Sequence, residues 1–102
     1  MEKNDFQIYK EIEYPRSGIL SKVLVKSEGK DVTLFCMSKG SELSSHTSTK
    51  DGIVYVIEGK GTFVLKGKKI PMVEGVMIHM EKKAVHSLSA KENTAFLLIL
   101  SK

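Results

Sequence analysis

Three histidines carry most of the chemistry that this chain could do. His46 opens the stretch "HTSTKDGIVYVIEG" (residues 46–59), His86 lies in "VHSLSA", and His79 lies in "VMIHM". A divalent metal wants several neutral imidazoles and a carboxylate to offset its charge, and a catalytic metal keeps at least three protein ligands with one position open. Ser48 and Gly52 follow His46 on the same stretch. A serine hydroxyl stays protonated at neutral pH and binds metal poorly, and glycine offers no side chain. His46 and His86 alone would hold a divalent ion weakly, with water filling the remaining positions. The expected cofactor is therefore none, or a weakly bound divalent metal ion. His79 is a candidate extra ligand, and Glu42, four residues before His46, is another.

Metal-free proton transfer is a second chemistry. It needs a histidine near neutral pKa, usually held by a carboxylate, and a proton donor such as tyrosine. His46 could be the base, but Gly52 supplies no carboxylate, and Tyr55 should point to the opposite strand face from residue 52. Cys36 is the lone cysteine and reads as a small buried strand residue. It excludes an internal disulfide and suits a reducing compartment. No glycine-rich phosphate loop or Ser-His-Asp signature points to other chemistry.

The elements that must position these residues are strands. Glycines at 18, 29, 40, 52, 59, 61, 67 and 75 punctuate short runs rich in Val, Ile, Leu, Phe and Thr, the rhythm of an all-β sandwich or barrel. The pattern predicts strands over 19–27, 31–39, 52–59, 61–67, 68–75, 76–80, 85–90 and 94–101. Residues 58–61 read as a tight hairpin turn. Pro71 inside an apolar run makes its strand short, bulged or peripheral. Residues 1–16 read as an N-terminal arm or edge strand, and 17–102 as one barrel domain, in keeping with a 102-residue chain.

Composition bounds the partners. The net charge of +4 is scattered among acids rather than gathered on one stretch, which excludes a nucleic-acid binder. The N-terminus lacks a signal pattern, and the longest apolar run, "AFLLIL" (95–100), is far short of a membrane span, so a cytoplasmic, membrane-free protein is expected. In 52–59, Val54 and Val56 share one face and Ile53, Tyr55 and Ile57 the other. One face should line a cavity; the other must be covered by the opposing sheet or a partner chain, which predicts a homodimer.

The glycine frame and the two histidines together resemble the cupin family. Its first motif reads G-x5-H-x-H-x3–4-E-x6-G. Gly40, His46 and Gly59 match in register, Ser48 stands at the second His, and Gly52 stands at the Glu. "YVIEGKG" (55–61) resembles the family's "YVLEGEG". The second motif, G-x5-P-x-G-x2-H-x3-N, matches at Gly75 and His86, with Glu81, Lys83 and Ala90 at the Pro, Gly and Asn positions. The resemblance covers roughly residues 17–102. It implies a cupin double-stranded β-helix, or jelly-roll barrel, of the RmlC-like superfamily with a degenerate metal motif. It implies a pocket for an unknown small molecule lined by His46, Ser48, Gly52, Val54 and His86, with Gly52 enlarging the cavity where the carboxylate would sit. The alternatives it leaves open are a metal-dependent dioxygenase or isomerase using His46 and His86, and a metal-free sugar epimerase. Whether the chain is an enzyme stays open at this level, since the fold hosts many chemistries.

Overall fold

A computed structural model describes residues 3–101. Nine strands follow a single helical turn, α1 (Ile8–Glu11): β1 (Ile19–Lys26), β2 (Lys30–Met37), β3 (Glu42–His46), β4 (Gly52–Glu58), β5 (Lys60–Leu65), β6 (Lys68–Val73), β7 (Met77–Met80), β8 (His86–Ala90) and β9 (Thr94–Ser101). They form two antiparallel sheets. The larger has the order β1-β2-β9-β4-β7 and the smaller β3-β8-β5-β6. The all-β jelly-roll expectation holds.

Alternation along each strand decides which side chains meet between the sheets. Val54 and Val56 of β4, Phe63 of β5, Met72 of β6 and Phe96 of β9 are buried there together. Phe35 stacks on Phe96 across the larger sheet, with ring centroids 5.1 Å apart. Pro71 lies on β6, the edge strand of the smaller sheet, where its missing N–H breaks no ladder.

Three local features differ from the sequence expectation. The stretch 58–61 is not a hairpin: β4 pairs with β7 and β9, β5 with β6 and β8, so the chain crosses from one sheet to the other at Gly59. The hairpin turn lies instead at Lys66-Gly67, where Leu65 faces Lys68 and both turn residues have positive φ (50° and 82°), as a type I′ turn requires. β3 carries no strand signal, because "ELSSH" has one apolar residue, yet it pairs along β8.

The N-terminal segment forms an arm and no strand; its first two residues, like Lys102, lie outside the described residues. Ile8, Ile12 and Tyr14 pack on a second buried cluster, Leu34, Cys36, Ile57 and Ala95, on the outer side of the larger sheet. Part of the face that the sequence assigned to an opposing sheet or a partner is thus covered by the chain's own arm. Two contacts clasp it. The Tyr14 hydroxyl donates to Glu58 Oε2 at 2.7 Å, and Lys22 Nζ donates to the Glu11 carbonyl at 2.7 Å. Burial, and then the Glu58 carboxylate, hold the Tyr14 hydroxyl well above its ordinary range, so it remains a donor.

The sheet-to-sheet corner is the most demanding backbone position. Gly59 has φ +117°, and a Cβ there would strike Asn93 O and the Cα and hydroxyl of Thr94. Thr94, fully buried, accepts from the Lys60 N–H at 3.1 Å and donates to the Glu92 carbonyl at 2.8 Å, so it cannot yield. Gly67 has φ +82° with open space around it. Gly59→Ala is expected to cost about 2–5 kcal/mol, from backbone strain and overpacking together. Gly67→Ala, with strain alone, should cost about 1–2 kcal/mol. Urea unfolding checks both, and equal losses would contradict the assignment of the corner to Gly59.

Candidate functional site

The site rests on a register shift. β3 and β8 pair as Glu42 with Ser89 and Leu43 with Leu88, then His46 with His86, so β3 carries one extra residue between Leu43 and His46. This is a β-bulge, and it inverts the facing of everything after it. Leu43 packs against the inner core; two-residue alternation from Leu43 would turn His46 outward. The bulge turns it inward, against His86. The same bulge puts Glu42, four residues before His46, on the opposite face of the strand from it. Glu42 is exposed and lines a shallow groove of about 530 Å³ on the outside of the smaller sheet, with Ser44, Thr62, Ser87 and Ser89.

The two imidazoles meet edge to face, with centroids 4.1 Å apart and planes at 62°. Phe63 stacks on His86 at 5.7 Å, nearly parallel at 4°. Each ring makes the same local contact. His46 Nδ1 lies 2.8 Å from the Ser44 carbonyl and His86 Nδ1 lies 3.0 Å from the Ala84 carbonyl. A carbonyl only accepts, so each Nδ1 carries a proton, and in the neutral ring Nε2 keeps its lone pair. Neither Nε2 has a hydrogen-bond partner among the described residues. His86 is buried and His46 exposed, so the pair has an inner and an outer member.

The rings border a cavity of about 50 Å³ between the sheets, walled by Phe35, Leu43, Val54, Phe63, Met80, Leu88, Phe96 and Leu98. Of the residues expected at the pocket, His46, Val54 and His86 line it; Ser48 and Gly52 do not. The Ser48 hydroxyl accepts from the Lys50 N–H at 3.1 Å, and its carbonyl accepts from the Lys83 N–H at 2.6 Å, which ties the 47–51 loop to the turn after β7. Gly52 does point inward, but it opens no space. A Cβ there would lie 2.9 Å from Leu100 Cδ2 and 3.1 Å from Met80 Cε, so these side chains fill the volume a carboxylate stem would need. His79 is exposed on the outer face of β7, opposite Ile53, while its neighbours Ile78 and Met80 point in. It cannot join the pair. Tyr55, 43% exposed, also faces away from the cavity. The sequence reading missed Met80 as a cavity residue, although strict alternation from Ile78 places it there.

The donor set does not fit the divalent metal that the fold family implies. Among the described residues no three His, Cys, Asp or Glu side chains cluster closely enough to hold an ion. The remaining wall is aromatic and aliphatic, so no carboxylate offsets a buried double charge. Nor does His46 have the carboxylate partner that a general base would want, because its Nδ1 is engaged by a backbone carbonyl.

Burial is the main reason that His86 titrates below its ordinary range, with the nearby His46 a lesser one; its hydrogen bond to Ala84 opposes the shift. The unfolded chain takes up a proton at this residue as pH falls through about 6.5, while the folded chain does so only lower. The unfolded state then binds more protons, so stability falls with acidification below that pH. Thermal unfolding between pH 7.5 and pH 5.5 should therefore fall more steeply in the parent than in His86→Gln. Parallel profiles would contradict the burial of a neutral His86.

Comparison with known proteins places this geometry. The cupin-domain profile matches residues 33–101. A Streptococcus pyogenes protein of unknown function superposes with a TM-score of 0.87 at 25% identity, covering 100% of this chain and 90% of that one. A cupin-superfamily protein from Desulfitobacterium hafniense also gives 0.87, at 19% identity, covering 99% of this chain and 93% of that one. A cupin 2 conserved barrel domain protein from Leptotrichia buccalis is 30% identical with a TM-score of 0.87, over 95% of this chain and 47% of that one. No curated protein matches. The profile spans more than half of the chain, from β2 to β9, and includes both histidines of the pair: this protein belongs to the cupin-domain family.

Proposed function

We propose that the chain is a cupin-domain binding module whose inner cavity takes one small molecule, or the apolar end of one, against the His46–His86 pair. The observation that carries this reading is the pair itself. Two imidazoles, each held at Nδ1 by a backbone carbonyl and with no partner at Nε2 among the described residues, border a cavity that is otherwise apolar. A few convergent polar groups in an apolar concavity are the usual make-up of a small-molecule site.

Size limits the ligand. Drug-sized ligands need roughly 300–1,000 Å³. About 50 Å³ admits a group of roughly three or four non-hydrogen atoms, taking the space of one water as the unit. A longer molecule would leave by way of His46, the exposed member of the pair. The entering group should be able to donate hydrogen bonds, because both nitrogens accept. A primary amine, amide or alcohol on a short alkyl chain meets both conditions.

The reading needs neither a resident metal nor proton transfer, and binding is its whole content. Titration with n-propylamine, propionamide and n-propanol, followed through the ring resonances of His46 and His86, tests it. At least one should produce saturable shifts of both rings at one-to-one stoichiometry. Leu98→Phe, which narrows the cavity, should weaken that binding about tenfold or more, equivalent to about 1.4 kcal/mol. Shifts that fail to saturate, or that survive Leu98→Phe unchanged, would overturn the proposal.

A further inference from the structure

We propose that the mouth of the cavity selects ligands bearing an anionic group, a carboxylate or a phosphate ester, through Lys66 and Lys83. The inference rests on the cavity reading above and adds the charge of the ligand.

Lysines that are scattered in the sequence gather at one end of the barrel. β3 ends at His46, β4 begins at Gly52, β5 ends at Leu65, β7 ends at Met80 and β8 begins at His86. Cross-strand pairs put these ends side by side: His46 with His86, His86 with Leu65, Leu65 with Lys68, and Gly52 with Met80. The segments that join them, 47–51, the Lys66-Gly67 turn and 81–85, therefore border the opening at His46. Backbone hydrogen bonds tie these segments together. The Lys83 N–H donates to the Ser48 carbonyl at 2.6 Å, and the Lys66 N–H to the Val85 carbonyl at 2.9 Å. With Lys68, the first residue of β6, this rim holds five lysines (50, 66, 68, 82 and 83) against two acids, Asp51 and Glu81, a net +3 of the chain's +4.

Two of these lysines stand where lysine is costly. Among the described residues, Lys66 and Lys83 are the only ones other than glycine with positive φ, at 50° and 70°. Lys66 opens a type I′ turn, which favours asparagine or glycine. Lys83 is the third residue of a turn closed by the Ala84 N–H on the Glu81 carbonyl at 3.1 Å, where positive φ ordinarily calls for glycine. Left-handed backbone is disfavoured for a side chain without a compensating local hydrogen bond. No structural contact offsets that cost. Lys66 Nζ lies 3.2 Å from Glu81 Oε2, but both side chains are more than half exposed, and such a pair contributes little. The Lys83 ammonium has no partner among the described residues. Strain of this kind collects at binding sites, where the function of a side chain outweighs it.

The rim's position sets what else the ligand carries. A short ring of lysines interrupted by two acids suits one small anion rather than a polyanion, which wants a continuous basic face. The cavity of about 50 Å³ admits roughly three or four non-hydrogen atoms, so the far end of a short chain emerges at the rim. A hydrogen-bond-donating end then meets the histidine pair while an anionic end meets the ammonium groups.

The test compares 4-hydroxybutyrate, its neutral amide 4-hydroxybutyramide, and 3-hydroxypropyl phosphate, each titrated against the full chain and followed through the His46 and His86 ring resonances. The anions should bind about tenfold or more tightly than the amide at about 10 mM salt, and most of that advantage should vanish at about 500 mM. An advantage for one anion alone supports the proposal and names the group. The double variant Lys66→Asn/Lys83→Gly should bind all three about equally. Its urea midpoint should equal or exceed the parent's, since each replacement suits its turn. Equal binding of anions and amide by the parent, an advantage that survives in the double variant, or anion binding that leaves both rings unshifted would each overturn the proposal. So would a urea midpoint below the parent's, which would assign the two lysines to the fold. If the amide shifts both rings while the anions gain nothing, the cavity reading stands and this inference falls. If none of the three shifts the rings, both fall.

Discussion

One extra residue in β3 decides what this barrel has at its mouth. Leu43 packs inward opposite Leu88, and His46 faces inward opposite His86; both can be true only because the strand is bulged between them. Without the bulge, His46 would stand on the outer surface beside Ser87 and Ser89, and His86 would border the cavity alone. Edge strands accept bulges readily, since only one side of the ladder must be reconciled. β3 pairs with β8 alone, so the smaller sheet can place a polar ring at an inner position without disturbing the core beneath it.

The rest of the site follows from how the surrounding volume is filled. At position 52 a side chain has been exchanged for packing: Met80 and Leu100 close over the glycine. At position 48 the serine has been turned to loop structure, where it stabilises the 47–51 segment. What remains is a small aromatic and aliphatic space with two oriented imidazoles at its border. Desolvation makes such a space costly for a buried charge, and that cost explains both the low titration of His86 and the poor fit to a dication. A ligand that brings its own hydrogen-bond donors meets fewer of these penalties.

Much of the fold was legible because β4 is unambiguous. β-branched residues alternate between Gly52 and Gly59, and the Val54/Val56 face proved to be the inner one. Pro71 pointed correctly to a peripheral strand. Both histidines of the site were identifiable, and so was Val54. The failures share a physical cause: each depended on a contact distant in sequence. β3 has one apolar residue and becomes a strand only through β8. Gly59 looked like a hairpin glycine because local sequence cannot distinguish a turn within a sheet from a corner between sheets. The arm lacked a periodic signal, and its position is set by Leu34, Cys36, Ile57 and Ala95. Gly52 read as a vacancy because its occupants, Met80 and Leu100, lie 28 and 48 residues further along the chain.

His46 and His86 stand side by side, each held at Nδ1–H by a backbone carbonyl and neither engaged at Nε2 by a described residue. Long-range proton–nitrogen correlation of the imidazole rings, recorded in alkaline solution where free histidine is neutral, tests it directly. Both rings should show a pyrrole-type Nδ1 and a pyridine-type Nε2, with through-space contacts between His46 and His86 ring protons. An Nε2–H tautomer in either ring, or no contact between them, would contradict the account.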